Sequence, residues 1–352
     1  MTSAYLGELF QQPEALRRAI GEFPSGAADD LDRARTCLES GEFHNIVLTG
    51  MGASLHGCYP LHLTLASAIS IPSAVWDASE LVHFAQDLIT DKTLLIAVSQ
   101  SGESVELRRL VELKQRPGMV ISVTNGSDNT LAHWADVSLL TRAGDEASVS
   151  NKTYTTGLAI LHLLGYRLAA RSLATARDAL IEAAQRLEGF LEVVERQVNQ
   201  AAQSFTDARC LAFVGRGYSL ASARAGSLIT QEASKLPCMA YSGGEFRHGP
   251  LELARAGFRA VIFAGSGAAS LPNQRLAREI CEAGGHVLLV SSSDADRSAV
   301  KGMSIIPVPE VEPALLPILE IVPIQFLTIP LAQAKGHEPG KFERASKVTV
   351  VE

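Results

Sequence analysis

Two stretches of the chain gather residues able to do chemistry. The first, AVSQSGESVE at positions 97–106, places Ser99, Ser101 and Ser104 beside Gln100, directly after an apolar run. A helix N-terminus leaves backbone N–H groups without intrahelical acceptors and carries partial positive charge, so a hydroxyl-rich turn at that point suits an oxyanion such as phosphate. Gly102 lets the backbone come close, while three hydroxyls and one amide add donors. Helix capping accounts for one or two such serines, not for the whole set. An earlier turn, GMGAS, offers Ser54 and the backbone after Gly52 to the same ligand. The second stretch, ITQEASKLPCMAYSGGEFRHGPLELA, carries Glu232 on an amphipathic pattern and then a glycine-rich turn where Glu245, Arg247 and His248 crowd together. A carboxylate and a histidine can move protons between carbon and oxygen. Each taken singly is more often a solvated helix residue or an exposed histidine.

Other chemistries lack their residues. The nine histidines are dispersed, with no His-x-x-x-His and no paired cysteines, so neither a metal nor another cofactor is expected. Around Ser101 the glycine positions of a Gly-x-Ser-x-Gly elbow are held by Ser99 and Glu103. GMGAS with Asp77 some way on suggests a dinucleotide fingerprint, but Leu55 stands where the third glycine belongs.

The elements that must hold these residues follow from periodicity. Short apolar runs alternate with helical patterns: NIVLTG then LHGCYPLHLTLA, TLLIAVSQ then VELRRLVELK, GMVISVTN then TLAHWA. Such alternation predicts βαβ units and a mainly parallel sheet. The unit is written twice. Gly50, Gly52, Ser54 and Leu55 correspond to Gly215, Gly217, Ser219 and Leu220 at an offset of 165, and Ser101-Gly102 to Ser266-Gly267 at the same offset. In the second copy SQSGES becomes AGSGAAS, with Ala264 for Ser99 and Gly265 for Gln100. The turn serves the fold in both copies; only the first keeps the polar groups, so the ligand is expected on the first lobe. Between the copies, Leu180, Ala184, Leu187, Leu191, Val194, Val198, Ala201 and Phe205 form one stripe of a long helix, which packs either on its own lobe or on another subunit.

Composition fits this plan. Of 352 residues 47% are hydrophobic, enough for one large or two medium cores, and a net charge of −7 without a basic block argues against nucleic acid as partner. Five scattered cysteines suit a reducing cytoplasm. The N-terminus carries Glu8 and Glu14 and reads as an amphipathic helix, not a signal peptide. PALLPILEIVPIQFLTIPLAQA is broken by Pro317, Pro323 and Pro330, carries Glu320 and Gln325, and reads as a buried helix, not a membrane span.

The motifs GMGAS, SQSGES, ASE at 78–80, VTN…LAHWAD, SVSNKTYTTGLAIL, GEFRHGP and the tail SKVTVVE together resemble the sugar isomerase (SIS) domain family over nearly the whole chain. They are similar to the tandem-SIS isomerase half of glucosamine-6-phosphate synthase and its stand-alone relatives, which include deaminases, ketose-aldose isomerases and deglycases. The resemblance implies an α/β fold of two tandem lobes, each a mainly parallel five-stranded sheet in a three-layer αβα arrangement. It divides the chain into an N-terminal helical segment at 1–44, lobes at 45–176 and 207–352, and a linker helix at 177–206. It further implies a phosphosugar held by Ser54, Ser99, Gln100, Ser101 and Ser104, with backbone near Val149 and Ala345 closing over it. By the same resemblance Glu232 shuttles a proton between C1 and C2, His248 opens the ring from a neighbouring subunit of a homodimer, and a tail lysine completes the site.

Three departures from the synthase stand out. No glutaminase domain or N-terminal cysteine accompanies these lobes, Ile229 replaces a lysine one turn before the glutamate, and the tail register admits either Lys347 or Ser346 as the lysine position. The expected activity is therefore aldose-ketose isomerisation or deamination of a hexose or amino-sugar 6-phosphate, in the cytoplasm, without cofactor. The alternative is a non-catalytic sugar-phosphate sensor. Residues 1–44 are too short and acidic for the DNA-binding segment such regulators carry, and Glu232 with His248 favours an enzyme.

Overall fold

NIVLTG, TLLIAV and MVISVT contain no charged residue, and a strand of that kind needs a sheet covered on both faces. In the computed structural model these runs are β1 (Asn45–Gly50), β3 (Thr93–Val98) and β4 (Met119–Thr124), and every residue from Ile46 to Gly50 and throughout the other two is buried. Residues 4–24, 29–147, 149–292, 300–344 and 346–349 are described. They divide into two compact units: the described residues of Glu14–Glu146, Lys152–Glu182 and Arg344–Glu352, and those of Met1–Pro13, Ala147–Asn151 and Ala183–Glu343.

The first unit holds a parallel five-stranded sheet ordered β2-β1-β3-β4-β5, with β2 Ser73–Asp77 and β5 Val137–Leu140. Val47, Leu95, Ala97 and Val120 share one core with Ala78 and Leu81 of helix Ala78–Phe84, Leu107 and Leu110 of helix Val105–Val111, and Leu131 of helix Thr130–Trp134. Asp77, weighed above as a ribose-binding acid, caps the first of these helices by accepting the Ser79 and Glu80 N–H groups at 2.9 and 3.3 Å.

The second unit repeats the plan with a parallel sheet ordered β10-β9-β8-β6-β7, from β6 Leu211–Gly215, β7 Cys238–Ser242, β8 Arg259–Phe263, β9 His286–Ser291 and β10 Met303–Pro307. Five strands to a lobe, all parallel and flanked by helices, is the architecture expected above. Gly52 and Gly217 share positive φ at 53° and 56°, as do Gly102 and Gly267 at 67° and 56°. Glycine recurs there because side-chain-bearing residues resist that conformation.

All eight residues of the stripe on helix Leu173–Ala202 and the turn after it are buried within the chain itself. The stripe covers core, and an interface is not needed to explain it. Helix Leu316–Ala334 is long and apolar enough to cross a membrane, yet 83% of its apolar window is buried inside the fold. Gly226 lets it approach: a Cβ there would sit 3.2 Å from the Phe213 ring and 3.5 Å from Ile324.

Glu320 is the one acid on that helix, and it is 1% exposed. Ser219 and Ser222 each donate a hydroxyl to it, at 2.8 and 2.5 Å. Burial raises its pKa to about 7 despite those two bonds. A carboxyl protonated more readily folded than unfolded adds stability below its unfolded pKa near 4.5, and loses it as pH climbs to about 7. The loss amounts to about 3 kcal/mol. Glu320→Gln should therefore melt above the wild type at pH 8 and lose that advantage at pH 4.5; parallel melting curves at the two pH values would contradict this.

Candidate functional site

In the first sheet β1 has β2 on one side and β3 on the other, so the chain leaves β1 and β3 in a crevice at the carboxyl ends of adjacent strands. Open α/β sheets bind ligands at such a point. Gly50 pairs with Val98 in register. A Cβ on Gly50 would lie 2.7 Å from the Val98 carbonyl and 3.2 Å from the Ser54 Cβ, so the GMGAS turn is pressed against the start of SQSGES. Ser54 thus starts from the same point of the crevice as Val98, the residue before Ser99. No side chain caps helix Gly52–Ala68, whose N-cap is Met51.

Hydroxyls of the second turn work on two sides. Ser99 Oγ accepts the Gly102 N–H at 3.0 Å and Ser101 Oγ accepts the Glu103 N–H at 3.1 Å. Each hydroxyl thereby keeps its hydrogen to donate elsewhere. Ser104 Oγ is buried without a hydrogen-bond partner, an arrangement that costs free energy until an acceptor arrives. Sequence reasoning expected backbone N–H groups as donors as well. Those of Gly102 and Glu103 are instead taken by serine oxygens, and that of Val105 by the Thr349 carbonyl at 3.1 Å. These three N–H groups are not free for a ligand, whereas the hydroxyls of Ser99 and Ser101 keep their hydrogens.

Two residues outside the expected set shape it. Glu103 accepts the Thr130 N–H at 2.5 Å with one oxygen and two Arg108 N–H groups at 2.9 and 2.6 Å with the other. The Thr130 bond first, and then Arg108, hold its carboxyl below the ordinary range. Asn129 caps helix Thr130–Trp134 through Ala132 N–H at 2.8 Å and donates to the Gly126 carbonyl at 2.6 Å. Its amide lies so close that a Cβ on Gly102 would sit 1.9 Å from Oδ1.

The tail meets this unit at two places. Thr349 takes the Val105 N–H, and Lys347 Nζ lies 2.6 Å from Oε2 of Glu146, whose side chain is fully buried. Thr153 donates to Glu146 through its backbone at 3.2 Å and its hydroxyl at 2.7 Å. Ser346 donates its hydroxyl to the Val348 carbonyl. Of the two register candidates, Lys347 is thus the one that reaches the interior of the first unit. No local pattern marks Glu146 as the partner of Lys347, which is 201 residues away. Ala345 lies outside the described residues. Val149 is buried and belongs with the second unit.

In that second unit Glu232 is half-buried on the last turns of helix Ser219–Ser234. The crowd around His248 sorts by role. Glu245 forms a capping box with Ser242, and Arg247 pairs with Glu279 at 2.9 Å. His248 follows helix Gly243–Arg247 with its side chain exposed. Among the described residues no three His, Cys, Asp or Glu side chains gather as a metal site.

Two parallel lobes with glycine turns and a serine cradle at the first crevice define the class: the chain belongs to the SIS domain family, which matches residues 42–166 and 204–333. It is 32% identical over 366 residues to a glutamine–fructose-6-phosphate aminotransferase (isomerizing) of Thermococcus kodakarensis, a match covering 99% of this chain and 58% of that protein. The chain thus spans little more than half the length of the curated relatives it matches. Among solved structures it superposes on the C-terminal domain of glucosamine-fructose-6-phosphate aminotransferase from Francisella tularensis with a TM-score of 0.86, 23% identity, and coverage of 97% and 98% of the two chains. Glucosamine-6-phosphate deaminase from Thermotoga maritima gives 0.77 at 19% identity, covering 99% and 100%. At these identities the superpositions establish the fold.

Gly102→Ala tests the turn. Positive φ and the clash with Asn129 should together lower stability by about 2 kcal/mol or more. Thermal melting measures this, and an unchanged midpoint would contradict the described packing.

Proposed function

We propose that the chain binds a hexose 6-phosphate, most naturally an amino-sugar phosphate, and interconverts its aldose and ketose forms, with or without release of ammonia. Glutamine hydrolysis has no part in the chemistry that residues 1–352 carry. The observation that carries the reading is the serine turn at the β1/β3 crevice, above all the buried, unpartnered Ser104 hydroxyl. The identity to an isomerising aminotransferase supports it.

In this reading Ser54, Ser99, Gln100, Ser101 and Ser104 hold the phosphate, which takes no part in the bond changes. Backbone near Val149 and Ala345 closes over the sugar. His248, supplied by the second subunit of a homodimer, takes the proton of the anomeric hydroxyl and returns one to the ring oxygen as the ring opens. The Glu232 carboxylate removes a proton from C1 of the ketose, leaving an enediol or enolamine, and returns it to C2. Lys347 completes the site. No cofactor takes part, and the reaction belongs to the cytoplasm. A fixed phosphate raises the effective concentration of the carboxylate at C1 and C2, since binding energy from the non-reacting end orients the reacting one.

Substitution Glu232→Gln should lower kcat by about a thousandfold, the scale of a lost general base, while fructose 6-phosphate still binds by calorimetry. Ser101→Ala should instead weaken that binding about tenfold by removing a donor to a charged group. Product analysis by NMR on fructose, glucosamine and galactosamine 6-phosphates identifies the reaction. Full activity of Glu232→Gln removes that residue from the mechanism, and binding without turnover of any of the three refutes catalysis.

A further inference from the structure

The helix that carries Glu232 ends on Lys235, which has φ 57° and ψ 20°. That left-handed cap position favours glycine, because a Cβ meets the following carbonyl there. Among the described residues only Arg142, Ala170 and Lys235 adopt positive φ without being glycine. A glycine would close the helix as well through its backbone N–H, which in Lys235 donates to the Gln231 carbonyl at 3.0 Å. What a glycine lacks is the side chain. Lys235 Nζ donates to the Glu232 carbonyl at 2.5 Å and to the Lys341 carbonyl at 2.7 Å. The next carbonyl of the helix, that of Ala233, accepts the Gly340 N–H at 3.3 Å. Three successive carbonyls of the final turn are therefore occupied, two of them by contacts that involve residues 340–341, where the C-terminal tail begins. Lys347 follows six residues after Lys341.

We propose that Lys235 is a positioning residue. Its ammonium seats the helix end that bears Glu232 and the root of the C-terminal tail on one another, so that both keep a fixed place during turnover. The proposal rests on the reading of Glu232 as the proton-transferring carboxylate. A cation bound to terminal carbonyls also complements the negative end of the helix, which explains why lysine and not a neutral side chain occupies the position.

The test separates positioning from capping, because the two roles predict opposite results. Lys235→Gly relieves the left-handed backbone, so a residue with only a capping role gives an equal or higher melting temperature with unchanged kinetics. For a positioning residue, kcat with fructose 6-phosphate falls about tenfold or more while KM stays within about twofold, since small misplacements of a reacting group act on turnover. Trypsin cleavage after Lys341 and Arg344, followed by mass spectrometry on the full chain, accelerates about tenfold as the tail root opens more often. Lys235→Arg, which keeps donors on a long cationic stem, restores most of both properties. Ala170→Gly, at the other left-handed site beyond helix Lys152–Leu168, changes neither. Wild-type cleavage in Lys235→Gly overturns the proposal whatever turnover does, and so does wild-type kcat alongside faster cleavage. If the unaltered protein turns over no phosphosugar, the functional reading falls, while the cleavage comparison still decides whether Lys235 holds the tail.

Discussion

The register of β1 against β3 is the constraint on which the first unit's candidate site depends. With β2 on its other side, β1 stands where the strand order reverses, and parallel strands there release their following turns on either side of one crevice. Pairing of Gly50 with Val98 places two turns separated by nearly fifty residues at the same height. The turn that bears Ser54 and the serine-rich turn then leave the sheet side by side. A one-residue slip would turn the inward residues of an all-buried strand to the opposite face, so burial of β1 and β3 defends the geometry of the site.

The second unit shows what the same scaffold does without those polar groups. Ala264 N–H takes the Val290 carbonyl at 2.8 Å, as Ser99 N–H takes that of Val123 at 3.0 Å, so the strand-to-turn handover is the same. Gly265, in the place of Gln100, has φ 69°, and a Cβ on it would lie 3.2 Å from the Ser219 hydroxyl. That hydroxyl, the counterpart of Ser54, is already donated to buried Glu320. In the second unit an internal carboxyl group thus takes up the hydroxyl of this turn. The glycines persist in both copies because the turn is a property of the fold.

Legibility of this protein in its sequence follows the range of each interaction. Strands without charge, amphipathic helices and a repeated glycine pattern are local, and they yield the parallel lobes and the serine turn directly. Glu320 was readable only as an acid misplaced in an apolar helix, since its serine partners lie about a hundred residues away. Glu146 was not legible as the acid that meets the tail, its cationic partner Lys347 being 201 residues distant. Glu103 sits inside the very motif that drew notice, yet its bond to Thr130 depends on how helix Thr130–Trp134 approaches the turn. Lys235 was invisible for a different reason: backbone handedness at a helix end is not written in side-chain type when a lysine occupies the cap.

Long-range pairing also explains why the tail contributes through its carbonyls as much as through its lysine. Thr349 accepts from Val105, the first residue of helix Val105–Val111, so one N–H at the positive end of that short helix is satisfied by the chain itself. The Val105 N–H is therefore not offered to an acceptor from outside, whereas the hydroxyls of Ser99 and Ser101 keep their hydrogens. Hydroxyls can rotate to follow an acceptor, whereas backbone N–H groups cannot. A cradle of that composition follows small displacements of an acceptor without losing its bonds.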